Sequence, residues 1–387
     1  MSSGNERYSV VEAELNALGY RYLRDRRLPE AIAVFQIMAE AFPQSWNAWD
    51  SLGEGYLFSR RLDEAEASYT KSIALNPGNQ NGKRNLETVR GTRQDFTNET
   101  REALRFEPSA RTGLKGGYFG QKPPGSVPGV FAPGIVSAAG HFDFATTFSP
   151  DGREVYFTQR REGGSNVLMA ARLGRDGWTM PEPAAFAEGF PSNEPHVTPD
   201  GKRLYFGSNR PRPGETAADY GIWVVERTPG GAWGKARYHG PGMYVSGARS
   251  GNLYMTDITN VAGSGRGAAI VYPWVNGQWG APQRLGGGVN SPEVADHVFV
   301  APDESYIIFD STRPGGQGGE GDLYVCFRKP DGSWSDAQNL GDAINTPGTN
   351  FCPSVSPDGK YIFYTRNRDI YWVRASVLEP LRARTLR

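Results

Sequence analysis

A four-residue turn signature recurs along most of this chain. Ser149-Pro150-Asp151-Gly152 returns as Thr198-Pro199-Asp200-Gly201, Ala301-Pro302-Asp303-Glu304 and Ser356-Pro357-Asp358-Gly359, with a degenerate copy at Ala248-Arg249-Ser250-Gly251. The third residue of the signature advances by 49, 50, 53 and 55 residues from copy to copy. Each copy precedes a short aromatic or β-branched run: Val155-Tyr156-Phe157, Leu204-Tyr205-Phe206, Leu253-Tyr254-Met255, Ile307-Ile308-Phe309 and Ile362-Phe363-Tyr364. Such runs bounded by Pro-Asp-Gly read as strands leaving a tight turn. A third run follows in each copy, as in Ile222-Trp223-Val224 and Leu323-Tyr324-Val325. Four copies carry a fourth, expected to open at Trp178, Trp233, Trp279 or Trp334. Four short strands repeated five times predict a five-bladed β-propeller over 116–387. High glycine (49 residues) and 12% aromatic content fit many short strands joined by tight turns.

The Pro-Asp turns at this spacing resemble the WD40-like repeats of TolB-type bacterial propellers, over roughly residues 117–375. The resemblance implies the propeller fold, and that fold hosts binding modules and enzymes alike. The last copy ends after Tyr371-Trp372-Val373-Arg374 without a fourth strand, while Gly129–Val136 precedes the first copy without partners. The early segment is therefore expected to close the ring by completing the last blade, which removes exposed strand edges.

A second period, of 34 residues, occupies the N-terminal part. Leu18-Gly19, Tyr22, Ala31, Phe35 and Pro43 recur as Leu52-Gly53, Tyr56, Ala65, Tyr69 and Pro77. Small residues let paired helices approach closely, and each proline ends a helix. The pattern resembles the tetratricopeptide repeat. The expected organisation is helical repeats with a capping helix over 1–93, a linker over 94–115, then the propeller. In that family the groove is lined by the first helix of each repeat, which here presents Asn16, Tyr20, Asn47, Asp50 and Glu54. The basic residues with which family members clamp a peptide carboxylate are not at those positions.

Within the propeller, the strand before each turn is expected to be innermost. Stepping back by two from the turn residue separates an apolar set from a more polar one. The polar set includes Asp143, Glu194, His196, Tyr244, His297, Asn350 and Cys352, with His141 beside it, and is expected to face the central funnel. Glu194 or Asp143 would serve as base, and His196 or His297 as acid or metal ligand. An arginine after each second strand (Arg160, Arg210, Arg313, Arg366) is expected to be structural, paired with Asp219, Asp322 or Asp369. Gly315–Gly321 lacks the ending of a phosphate loop and reads as a hairpin loop.

Lys plus Arg balance Asp plus Glu at 42 each, which argues against nucleic-acid binding. Two cysteines, Cys326 and Cys352, make neither a disulfide framework nor a CxxC pair. The absence of a long apolar run predicts no membrane span and a cytoplasmic protein, or a periplasmic one if an export segment has been removed. The leading expectation is a non-enzymatic scaffold: the helical repeats dock a protein partner, and the propeller binds a protein, peptide or glycan without a cofactor. The alternative is a lyase or hydrolase acting on a sugar or small molecule in the funnel, with a divalent metal there.

Overall fold

The computed structural model describes residues 11–24, 28–58, 61–90, 114–138, 140–161, 164–212, 220–259, 267–290, 294–316 and 321–385. The chain divides into two compact units, Met1–Thr97 and Asn98–Arg387. Most of the expected linker, Asp219 and residues 317–320 of the glycine-rich loop lie outside the described residues. Among the described residues no helix is long and apolar enough to cross a membrane.

The first unit consists of helical hairpins: α1 (Glu12–Arg24), α2 (Leu28–Ala41), α3 (Trp46–Phe58) and α4 (Leu62–Leu75), followed by helix α5 over residues 80–90. The 34-residue period has a steric cause. A Cβ built on Gly19 would lie 2.2 Å from the Phe35 ring, and one on Gly53 would lie 2.9 Å from Tyr69. Only glycine permits that helix spacing. Ala31, Phe35, Ala65 and Tyr69 are fully buried in the resulting core.

The second unit is a five-bladed propeller with four antiparallel strands per blade. Blade I comprises β2 (His141–Phe148), β3 (Glu154–Arg161), β4 (Asn166–Arg172) and β5 (Glu182–Pro183). Blade II comprises β6 (Ser192–Val197), β7 (Arg203–Ser208), β8 (Gly221–Glu226) and β9 (Arg237–Gly240). Blade III holds β10 (Met243–Gly247), β11 (Leu253–Asp257), β12 (Ala268–Tyr272) and β15 (Gln283–Arg284), with a side hairpin of β13 (Trp274–Val275) and β14 (Gln278–Trp279). Blade IV is β16 (Asp296–Val300), β17 (Tyr306–Ser311), β18 (Asp322–Phe327) and β19 (Gln338–Asn339). Blade V is β20 (Asn350–Val355), β21 (Tyr361–Arg366), β22 (Asp369–Arg374) and, from the start of the unit, β1 (Gly129–Val130).

The ring closes as expected, with Gly129 opposite Trp372 and Val130 opposite Tyr371. The ladder is shorter than the apolar run that foretold it. Beyond the donation from Phe131 N to Ile370 O, 2.8 Å, the segment turns inward. Phe131, Ile135 and Val136 are buried between blades V and I with Phe148, Phe363 and Trp372. Each of the four tryptophans lies four residues before its fourth strand, instead of opening it. Trp178, Trp233 and Trp334 make single bridges back to the end of the third strand, across turns with Gly177, Gly231 and Gly332 at positive φ.

The recurring arginines act on rings and backbone. Arg210, Arg313 and Arg366 donate to carbonyls of the segment entering their own blade, at Phe186, at Gly288 and Val289, and at Ala343 and Ile344, all 2.7–3.0 Å. Their guanidinium groups also lie over Trp223, Tyr324 and Tyr371. A planar five-donor cation can do both at once.

Candidate metal centre in the propeller channel

Every innermost strand contains the same irregularity. The register of the first with the second strand shifts between Phe144 and Thr147, Asn193 and His196, Met243 and Ser246, Asp296 and Phe299, and Phe351 and Ser354. At each shift one residue adopts a positive φ: Ala145 (53°), Glu194 (55°), Tyr244 (52°), His297 (46°) and Cys352 (52°). All five stand six residues before the third residue of the turn signature. None is glycine, so each carries roughly 1–2 kcal/mol of left-handed strain, sustained by the surrounding blades. A β-bulge re-aims side chains and breaks the two-residue alternation.

The bulge brings three ligating side chains together. A carboxylate oxygen of Glu194, a ring nitrogen of His297 and the sulfur of Cys352 all lie within 4.8 Å of one another. They come from blades II, IV and V. Glu194 is 5% exposed, Cys352 1% and the His297 side chain 14%, so solvent screening is weak. The donor set suits a borderline-soft divalent ion of the zinc type, with ligand bonds of about 2.0–2.3 Å.

Neighbours hold each of the three. Asp310, on the second strand of blade IV, lies 2.9 and 3.1 Å from His297 Nδ1 through its two oxygens. His297 Nε2 is left toward Glu194 Oε1, at 3.6 Å. This is the arrangement in which a carboxylate orients a ligating imidazole. Asp310 Oδ1 also accepts the Cys352 backbone N–H at 3.3 Å, and Thr158 Oγ1 accepts that of Glu194 at 2.9 Å. The second strand of one blade therefore fixes the bulge of the next. Glu194 Oε1 accepts from Asn193 Nδ2 at 3.1 Å, and Oε2 accepts from the Tyr220 hydroxyl at 3.3 Å. Tyr244 donates to Pro353 O at 2.7 Å, which fixes its ring edge-on to His297 with centroids 5.2 Å apart.

Charge follows from this geometry. Burial, the largest single influence, would lower the His297 pKa, but Asp310 and Cys352 together outweigh it and hold the imidazole well above its ordinary value. Burial pushes the Cys352 thiol up to about 12, so at neutral pH it stays protonated unless a cation binds it. Burial also raises Asp296, the ladder partner of Asp310, to about 6.

The other expected funnel residues are placed differently. His196 Nε2 accepts the Gly247 backbone N–H at 2.9 Å, just as Thr147 Oγ1 accepts Val197 N and Ser246 Oγ accepts Val300 N. Past the bulge, the supposed funnel positions serve as interblade ties. Burial lowers the His196 pKa to about 4, keeping that nitrogen an acceptor. Asp143 is fully buried and takes Gln159 Nε2 at 2.9 Å and Ala138 N at 3.0 Å. His141 opens β2, and its carbonyl accepts from Arg368 Nε. Asn350 is fully buried and donates to Thr346 O. Asp310, Asn193 and Tyr220 were missed by alternation because none was assigned to the funnel face.

In the helical unit, the five groove residues are held by separate sets of hydrogen bonds. The Tyr20 hydroxyl donates to Glu54 at 2.7 Å, Ser51 to Asn16 at 2.8 Å and Asn47 to Glu12 at 3.3 Å. Asp50, buried, accepts from Asn79 and Asn81. Burial raises the Glu54 pKa.

No family model matches this chain, and no curated protein matches it in sequence. Among solved structures it is similar to a gluconolactonase of Xanthomonas campestris, at 13% identity and TM-score 0.38, over 65% of this chain and 96% of that one. It is similar to TolB of Acinetobacter baumannii, at 20% identity and TM-score 0.34, over 61% and 49%. A periplasmic gluconolactonase of Pseudomonas aeruginosa is matched at 13% identity and TM-score 0.34, over 57% and 64%. At these values the likeness is one of propeller fold at a distance, and says nothing about activity.

Proposed function

We propose that the propeller is a metal-dependent enzyme of the hydrolase or lyase class, acting on a small molecule in its channel. Glu194, His297 and Cys352 are the ligands in this reading. The observation that carries it is their convergence from three blades, each on a strained bulge residue. Three protein ligands leave a coordination position open, the count found in catalytic zinc sites. A metal there supplies Lewis-acid polarisation and an activated water. Asp310 orients His297, while Asn193 and Tyr220 orient Glu194. Thiolate and imidazole donors favour zinc-type ions over magnesium or calcium.

Metal analysis of the full-length protein after zinc exposure and desalting tests this. Close to one equivalent should be retained, falling towards zero in Glu194→Gln, His297→Ala and Cys352→Ser. His196→Ala, outside the cluster, should keep its metal. Retention of one equivalent by all three ligand variants, or none by the parent, would sink the reading.

A separate role belongs to the helical unit, whose hairpins we read as tetratricopeptide repeats docking a protein partner. The cross-helix hydrogen bonds of Tyr20 with Glu54 and of Asp50 with Asn79 support this reading, because they preset the groove before any partner arrives. Affinity capture with the parent and with Glu54→Ala should recover a partner only with the parent; identical recoveries would count against the groove.

A further inference from the structure

The channel holds a second group of side chains beside the ligands. Phe144, Ala145, Tyr244 and Cys352 are buried together, with the partly exposed Phe142, Met243 and Phe351 packed against them. Among the hydrophobic clusters of the described residues, this alone is built entirely from innermost strands, those of blades I, III and V. The other six draw on the outer strands or on the helices. A channel meant only to hold water has no need of phenylalanine.

Its geometry is specific. The rings of Phe142, Phe144 and Phe351 form a triangle, with centroids 5.1, 5.9 and 6.0 Å apart. Phe142 is backed by the guanidinium of Arg160 at 4.8 Å, which leaves its other side to the triangle. Phe351 meets the His297 imidazole with centroids 5.4 Å apart and planes inclined by 64°. The wall therefore reaches a ligating imidazole through two rings, Phe351 and Tyr244. The bulge explains the placement, since Phe144, Met243 and Phe351 immediately precede the positive-φ residues of their strands. On blades II and IV the same position is Asn193 or Asp296. The channel is thus apolar on blades V, I and III and polar on blades II and IV. Small-molecule sites have this character, with apolar rings for area and a few polar groups for orientation.

We infer that the channel selects a substrate carrying an aromatic or similarly flat apolar ring next to the group presented to the metal, with Phe142 and Phe351 as the residues that choose it. The inference rests on the metal-site reading above. Ring–ring contact of this kind discriminates a ligand with an aryl group from one with a methyl group by about tenfold.

The test uses full-length protein loaded with cobalt(II), whose visible absorption reports ligands entering the coordination sphere. Two probes share one metal-binding group, benzohydroxamate and acetohydroxamate. Benzohydroxamate should bind about tenfold more tightly. Phe351→Leu and Phe142→Leu, which keep apolar volume and remove the ring, should cut that preference severalfold and leave acetohydroxamate within about twofold of the parent. Equal affinities for the two probes in the parent would overturn the inference while leaving the metal site standing. So would variants that weaken both probes alike. Failure to take up cobalt at all would remove the metal reading and this inference together.

Discussion

Asp143 shows how much one buried carboxyl depends on its surroundings. Burial raises its pKa to about 7, against the counter-pull of Ala138 N, Gln159 and the Arg368 charge. A carboxyl with a raised folded-state pKa binds its proton more readily in the native than in the unfolded chain. Its contribution is complete at low pH and declines as pH climbs from the unfolded value near 4 through the folded value near 7. The Asp143→Asn variant should therefore gain stability relative to the parent between about pH 5 and pH 8, as read by denaturant midpoints. A pH-independent difference would refute the assignment. Residues of this kind were only partly legible beforehand. Glu194, His297 and Cys352 stood out as reactive types on an inner strand. Asp310 did not, because it directly follows the apolar run Ile307-Ile308-Phe309 within a second strand, in a position that Thr158, Gly207, Asp257 and Thr365 occupy in other blades. Aligning the copies at that position would have marked Asp310 together with Asp257, two carboxylates among otherwise small, uncharged residues.

At the level of elements, the innermost strand and the closing segment carry the argument. The turn signatures gave the strand boundaries because Pro, Asp and Gly state their backbone preferences locally. The bulge was illegible because Ala, Glu, Tyr and Cys carry no preference for positive φ, and the enrichment of His there is too weak to mark a site by itself; the packed blades impose it. Two-residue alternation therefore picked out the bulge residues Glu194, Tyr244, His297 and Cys352 and failed on either side of them: Asp143 and Asn350 before the bulge are buried in local hydrogen bonds, and His196 beyond it is an interblade tie. The closing segment was legible as a missing strand, but its inward turn was not. That turn is where its stabilisation lies. Phe131 is fully buried, with centroids 5.0 Å from Phe363 and 5.3 Å from Trp372. Phe131→Ala should cost about 3–5 kcal/mol of propeller stability, seen as a lower denaturant midpoint. A loss below about 1 kcal/mol would show that closure rests on the short β1 ladder instead.

Across the whole chain, the two repeat periods set the two units, and repetition sets what can become a site. Five equivalent bulges deliver five side chains to one axis, and three of those side chains are metal-ligand types. Cross-blade bonds from Thr158 and Asp310 lock the Glu194 and Cys352 bulges to their neighbours, so the ligand geometry depends on an intact ring. The most direct trial is anomalous X-ray scattering from crystals grown with zinc. We expect a single strong peak bounded by Glu194 Oε, a His297 ring nitrogen and Cys352 Sγ, at about 2.0–2.3 Å from each. Zinc bound elsewhere on the propeller, with those three side chains unliganded, would contradict the account.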